Sequence, residues 1–224
     1  MSSIVIVGAS CVSGLALARQ LRQSGFDVFA VIRSKVTAQE LGSMGCHVCV
    51  ADATERDQFE RCLESVPTAS QFVSFLGGHM TDGSRVPLQA YKNIVDGAKM
   101  SGASRFTMIS SVGCGDSAGA VLWVFRRLLK KALHVREQAE AYLHASGLDW
   151  CVIRPGALPE RSPATGEGVL VEDPHVMGAI HRLDLADIVF RALQSRQTLG
   201  KNLTAVDRCK IWKPFGGQIH AFDL

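Results

Sequence analysis

No apolar run in the 224-residue sequence reaches the roughly 18–20 residues that a membrane-spanning helix needs. Charge of one sign is also missing. The 24 basic and 21 acidic residues leave a net +3, too little to point to nucleic acid or an acidic membrane. There is no internal repeat, low-complexity tract or linker, so a single domain over 1–224 is expected, long enough to bury a full core. No basic leader precedes Ile4–Val7, which runs into a glycine turn; a signal peptide is not expected, and a cytoplasmic location is. The seven cysteines are odd in number, which argues against a disulfide framework and for reduced thiols. Cys46 and Cys49 have C-x-x-C spacing but read as part of a strand. Alternation puts Cys46 with Val48 on one face and His47 with Cys49 on the other. Without a second ligand pair nearby, buried thiols are expected and a metal is not.

What is present is an alternation of strand and helix. Short apolar runs predict strands at Ile4–Val7, Val28–Ile32, Cys46–Val50, Gln71–Leu76, Arg105–Ser110, Trp150–Ile153 and Leu203–Val206. Helical patterns fit Gly14–Ser24, Ala38–Met44, Arg56–Leu63, Leu88–Ser101, Lys130–Ser146 and Asp184–Gln194. The pairs Ser24-Gly25, Ser101-Gly102 and Ser146-Gly147 stand where helices end and predict left-handed caps. Strands buried on both faces by helices make an α/β, Rossmann-like, doubly wound parallel sheet.

The first strand leads into Gly8-Ala9-Ser10-Cys11-Val12-Ser13-Gly14. A strand, a glycine turn and a helix start form a phosphate site: glycine brings the backbone close to the anion, and the helix N-terminus holds it. The spacing is G-x-x-G-x-x-G with Cys11 in the middle glycine's place, where a side chain crowds a pyrophosphate. In open α/β sheets ligands sit beyond the carboxyl ends of the strands. Two stretches that break the rhythm, about 112–135 and 157–180, come after strands and are expected to border a substrate pocket; plain surface connections are the alternative.

These features in order resemble the atypical short-chain dehydrogenase/reductases with an NAD(P)H-binding fold, similar to the biliverdin-IXβ reductase/flavin reductase and NmrA-like members. The resemblance covers about residues 3–206. It rests on the first turn, Arg33, Asp52-Ala53, Leu76-Gly77-Gly78, Ser110-Ser111, Arg136 to Glu140, Arg154-Pro155-Gly156 and His181 to Ala186. It implies a small-molecule substrate and a cofactor held by Gly8, Ser10, Cys11, Val12, Gly14, Asp52, Ala53, Leu76, Gly77, Gly78, Ser110, Arg136, Pro155 and Gly156. Arg33 with Ser34 and Lys35 favours NADP(H), because a cation pairs with a 2′-phosphate where an acid would take the ribose hydroxyls of NAD. A solvated basic turn is the alternative, and Asp52 also fits a helix-capping role.

Ser111 matches the active-site serine of the resemblance. The Tyr-x-x-x-Lys pair of the common enzymes is missing: Arg136 takes the lysine position and Ala132 the tyrosine position. Arginine stays protonated and moves no proton. Tyr91 and Tyr142 read as helix packing. Reduction of a conjugated acceptor (a flavin, quinone, tetrapyrrole or enone), with the proton taken from solvent, fits better than ketone chemistry. His79 is a candidate proton donor, against a solvated loop histidine. Arg154 is expected to pair within the fold, and His181 to Asp184 to turn into a late helix. A non-catalytic NADP(H)-binding sensor or partner protein, or a fold that lost dinucleotide binding through Cys11, are the competing readings. Val121 to Lys131 is apolar with cations at 126, 127, 130 and 131: a surface helix, a lid, or a partner or membrane-surface helix. Of these, membrane attachment is the one not expected of a single short helix with four cations.

Overall fold

Ile4 and Ile6 face one side of the first strand, and Val5 and Val7 the other, and each pair is buried in a different apolar layer. That alternation places helices on both sheet faces. The computed structural model describes residues 2–77, 85–160, 163–212, 221–222 and 224. The strands are β1 (Ser3–Val7), β2 (Asp27–Ile32), β3 (His47–Val50), β4 (Gln71–Ser74), β5 (Arg105–Ile109), β6 (Trp150–Pro155), β7 (Gly168–Val171), β8 (Met177–Gly178), β9 (Lys201–Asp207) and β10 (Ile211–Trp212). The helices are α1 (Val12–Gln23), α2 (Ala38–Ser43), α3 (Arg56–Leu63), α4 (Leu88–Met100), α5 (Trp123–His144) and α6 (Arg182–Gln194).

The main sheet runs β3-β2-β1-β4-β5-β6-β9-β7, parallel except for β7. One layer packs α1, α2 and α6 on the sheet through Leu17, Leu21, Leu41 and Ile188; the other packs α3, α4 and α5 through Phe59, Ile94 and Leu143. Strand order reverses at β1, which pairs with β2 on one side and with β4 on the other. The crevice at the carboxyl ends of β1 and β4 is therefore the expected ligand position. The helix caps are as expected: Gly25, Gly102 and Gly147 take φ of +82°, +65° and +81°.

Three expectations are corrected. The stretch 157–180 is not a plain loop: β7 adds antiparallel to β9, and β8 pairs with β10. Its three prolines and three glycines hid a four-residue strand. Helix α5 begins at Trp123 rather than near Lys130, because residues 123–144 form one continuous helix. The cysteines are not all reduced: Cys49 on β3 and Cys62 on α3 form a disulfide, with Cα atoms 5.8 Å apart. Parity of the count says nothing about one bridge between neighbouring elements. Cys46 and Cys49 do lie in opposite apolar layers, and among the described residues no cluster suits a metal.

Candidate functional site

The crevice holds a cavity of about 170 Å³. Val7, Gly8, Ser10 and Cys11 line it from the end of β1; Val31, Arg33 and Ser34 from β2; Ala51, Asp52, Ala53 and Thr54 from β3; and Phe75, Leu76 and Gly77 from β4. Nine residues singled out in the sequence thus meet in one cavity: Gly8, Ser10, Cys11, Arg33, Ser34, Asp52, Ala53, Leu76 and Gly77. Val86 and Ala90 close it from the start of α4. These two carry no sequence signal, being small or apolar residues of an ordinary helix start. Val7, Val31, Ala51 and Phe75 were legible only as strand ends.

Gly8 takes φ of +79°, and a Cβ there would stand 3.3 Å from the Phe75 carbonyl carbon. This keeps the turn close to β4. Gly14 serves packing, not the cavity wall: a Cβ would come within 2.8 Å of the Gly8 carbonyl oxygen. Val12 is the exposed first residue of α1.

Cys11 needs no glycine conformation, with φ −79° and ψ 160°. Its Sγ accepts the Gly14 N–H at 3.3 Å and caps α1. The residue reaches solvent, but its sulfur is turned onto the helix start, and loss of water there pushes the thiol pKa up despite the helix amides, which lower it. The thiol is therefore neutral at pH 7 and does not repel an anion. It does occupy an amide that a phosphate would use, and a sulfur acceptor is a weak competitor for it.

Asp52 Oδ1 accepts from the Thr54 N–H at 2.9 Å and from the Thr54 hydroxyl at 2.8 Å. It closes the turn before α3 while lining the cavity, but it does not cap the helix, whose N-cap position is Glu55. Ser34 accepts the Val36 N–H at 3.4 Å, and Arg33 is exposed at the rim.

Arg136 reaches from α5 across the ends of β4 and β5. Its Nη1 donates to the Ser110 carbonyl at 2.9 Å, and Nη2 lies 2.6 Å from where a Gly77 Cβ would stand. Tyr91 is buried beside it and donates to the Leu76 carbonyl at 3.2 Å; burial pushes its pKa up, and Arg136 partly offsets this. Ser110 is buried, its Oγ toward Cys114, and Ser111 is half-buried with its Oγ donating to the Val112 carbonyl at 3.1 Å. Neither serine lines the cavity. Pro155 ends β6, and Gly156 lies against the Gly178 carbonyl, where any Cβ would clash. Gly78 and His79 lie outside the described residues.

The other residues are structural, as expected. Arg154 is paired with buried Glu140 at 2.7 Å and with Asp116. Burial opposes its charge, but the Glu140 carboxylate outweighs this and raises its pKa. Tyr142 donates to Asp96 at 2.7 Å. His181 caps α6 by accepting the Leu183 N–H, and Asp184 holds the Thr165 and Gly166 amides.

The chain is 27% identical over 222 residues to an uncharacterized chloroplastic protein of Arabidopsis thaliana, covering 94% of this chain and 78% of that one. It is 25% identical to the chloroplastic divinyl chlorophyllide a 8-vinyl-reductase of the same plant, covering 78% of this chain but only 44% of that longer protein. Among solved structures it is similar to ChuY, an anaerobillin reductase from Escherichia coli O157:H7, with a TM-score of 0.81 at 24% identity, covering 96% and 100% of the two chains. The family model described as NAD(P)H-binding matches residues 8–196, from the β1 turn through the end of α6. With that match laid over a reversed-order parallel sheet and a glycine-turn crevice, the chain belongs to the NAD(P)H-binding family of atypical short-chain dehydrogenase/reductases.

Proposed function

We propose that this protein is an NADP(H)-dependent reductase of a conjugated small molecule such as a flavin, quinone, tetrapyrrole or enone. The observation that carries it is the cavity itself, in which Arg33 and Ser34 at the end of β2 share one wall system with the Gly8 turn and Asp52. A cation and a hydroxyl at that strand end suit a 2′-phosphate. Gly8, Ser10 and the start of α1 suit a pyrophosphate, with the Cys11 sulfur yielding the Gly14 amide. Gly8 fits this role because no Cβ fills the approach between the turn and Phe75. The reductase names of the vinyl-reductase and ChuY point the same way.

When bound, the cofactor supplies a hydride. The chain's own part is placement. Arg136 fixes the ends of β4 and β5 and keeps a positive charge there, which stabilises negative charge developing on an acceptor. It cannot give a proton. Ser111 can turn its hydroxyl from the Val112 carbonyl to an acceptor oxygen, and water at the open edge supplies the proton. Holding donor and acceptor together provides the rate gain.

Calorimetric titration with NADPH and, separately, NADH tests the reading. Micromolar NADPH binding with much weaker NADH binding is expected, followed by NADPH oxidation with a flavin, quinone or enone. Absence of binding of either sinks it. The competing reading, a fold repurposed through Cys11, is tested by Cys11→Gly. A large gain in NADPH affinity in that variant favours the repurposed fold, and no gain shows that the thiol is accommodated.

A further inference from the structure

The first turns of α5 take no part in the cavity. Every residue from Leu122 to Lys131 is exposed, with Trp123 at 74% and Leu128 at 79%. The first buried residue of the helix is Leu133, and Ala139, Glu140 and Leu143 follow it into the core. At about 100° per residue, Val124, Phe125, Leu128 and Leu129 fall on one side, and Arg126, Arg127, Lys130 and Lys131 on the other. Trp123 sits among the cations at the amino end. None of the four cations pairs with a described residue. They also carry the whole positive excess: without them the chain has 20 basic residues against 21 acidic ones. From Val121 to Leu133 there is no Ser, Thr, Asn, Gln, Asp, Glu, His or Tyr.

We propose that residues 122–132 are a docking surface for anionic lipid. The helix lies in the interface with its apolar side among acyl chains and its cations at the headgroups. Complementary charge selects this occupant. A second copy packed on the apolar side would cover Val124, Phe125, Leu128 and Leu129 but leave the four cations on the far side unanswered, whereas an anionic bilayer answers both sides. A protein partner would have to set acidic groups one by one against these four cations, whereas a layer of anionic headgroups supplies that charge in any register. Lipid asks only for what is there. The full exposure of the segment, which the sequence did not reveal, argues against the expectation that a membrane is not a partner. No described helix is long and apolar enough to cross a membrane, so the contact is peripheral. Arg136 lies 13 residues along the same helix from Trp123, about 20 Å at the helical rise, so docking sets the carboxyl edge of the sheet near the lipid. The inference goes beyond the proposed activity and does not depend on which cofactor or substrate the site takes.

The test is co-sedimentation of the full chain with vesicles of phosphatidylcholine alone, or with 30 mol% phosphatidylglycerol, at 0.1 M salt. Binding to the anionic vesicles at least tenfold stronger than to the neutral ones is expected, together with a blue shift of Trp123 emission that Trp123→Phe removes. Each basic residue near such a surface is worth roughly fivefold, so R126Q/R127Q/K130Q/K131Q lowers partitioning by about a hundredfold or more. Circular dichroism reports whether that variant keeps its fold, and the wild-type comparison of the two vesicle types stands without it. Equal binding to both vesicles, or none to either, overturns the proposal. So does a dimer in solution that F125S/L128S dissolves, which would assign the face to a second copy.

Discussion

The Nη2 atom of Arg136 occupies the space beside Gly77 that any Cβ would need, at 2.6 Å. The glycine after β4 is thus required by an arginine on α5, and the arginine is held there by the Ser110 carbonyl. Gly77→Ala pushes the far end of the flexible Arg136 side chain away, and stability should fall by about 1–3 kcal/mol, according to how much of the Ser110 hydrogen bond is lost. Losing the charged hydrogen bond to Ser110, worth about 1.5–3 kcal/mol, should disturb the carboxyl edge, and NADPH affinity should drop about tenfold. A double-mutant cycle measured by calorimetry checks the coupling. With Arg136→Ala already in place, Gly77→Ala should add almost nothing. Additive losses would separate the two residues.

Arg33 is the proposed discriminator between the two nicotinamide cofactors. Arg33→Ala should raise the NADPH dissociation constant by about 10–100-fold, the range of a lost charged hydrogen bond, and leave that for NADH within about twofold. The same variant should flatten the salt dependence of NADPH binding, because an exposed ion pair is screened. Equal weakening toward both cofactors would show that Arg33 acts on the rim as a whole and not on a 2′-phosphate.

The order of elements was legible because its signals are local. Strands buried on both faces read as apolar runs, and the Ser-Gly pairs marked the caps at Gly25, Gly102 and Gly147. Most of the cavity was legible for the same reason: in a doubly wound sheet, ligand-facing residues come just after strand ends. What escaped depends on distant partners. Gly156 looks like a ligand-facing glycine but is set by the Gly178 carbonyl, and Gly14 by the Gly8 carbonyl. Val86 and Ala90 reach the cavity only because α4 packs beside β1 and β4. The Cys49–Cys62 bridge depends on β3 and α3 lying side by side, which the count of cysteines cannot show.

That bridge closes a separation of 13 residues and flanks the Asp52 turn on both sides. Closing a loop of this length restricts the unfolded chain by about 3 kcal/mol in the chain-entropy model. Reductant, or Cys62→Ser, should lower unfolding stability by about 2–3 kcal/mol in a denaturant titration. A thiol titration of the unfolded protein should count five thiols before reductant, the free cysteines being Cys11, Cys46, Cys114, Cys151 and Cys209. A count of seven before reductant would reject the bridge.

Two buried thiols set an alkaline limit on the fold. Burial pushes Cys114 up to about 11, with nearby Glu140 adding to it and Ser110 and Arg136 easing it. Burial likewise pushes Cys151 up to about 11, eased by Arg105 and Thr198. Unfolded, each titrates near 9.0. Below pH 9 both states hold these protons and the thiols add no pH dependence. Between about 9 and 11 the unfolded chain loses protons that the folded chain keeps, so stability falls as pH rises; above about 11 their contribution levels off. At pH 10 each thiol should account for about 1.4 kcal/mol of lost stability relative to pH 7. Burial raises Tyr91 as well, and it pulls in the same direction at higher pH. Denaturant unfolding at pH 7.5, 9 and 10 measures the slope. Cys151→Ala lowers stability at every pH by leaving a cavity, so the level is no guide. The slope between pH 9 and 10 should lose about 0.7 of a proton's worth in that variant and again in Cys114→Ala. An unchanged slope in both would mean that these thiols ionise in the folded protein as readily as in the unfolded chain.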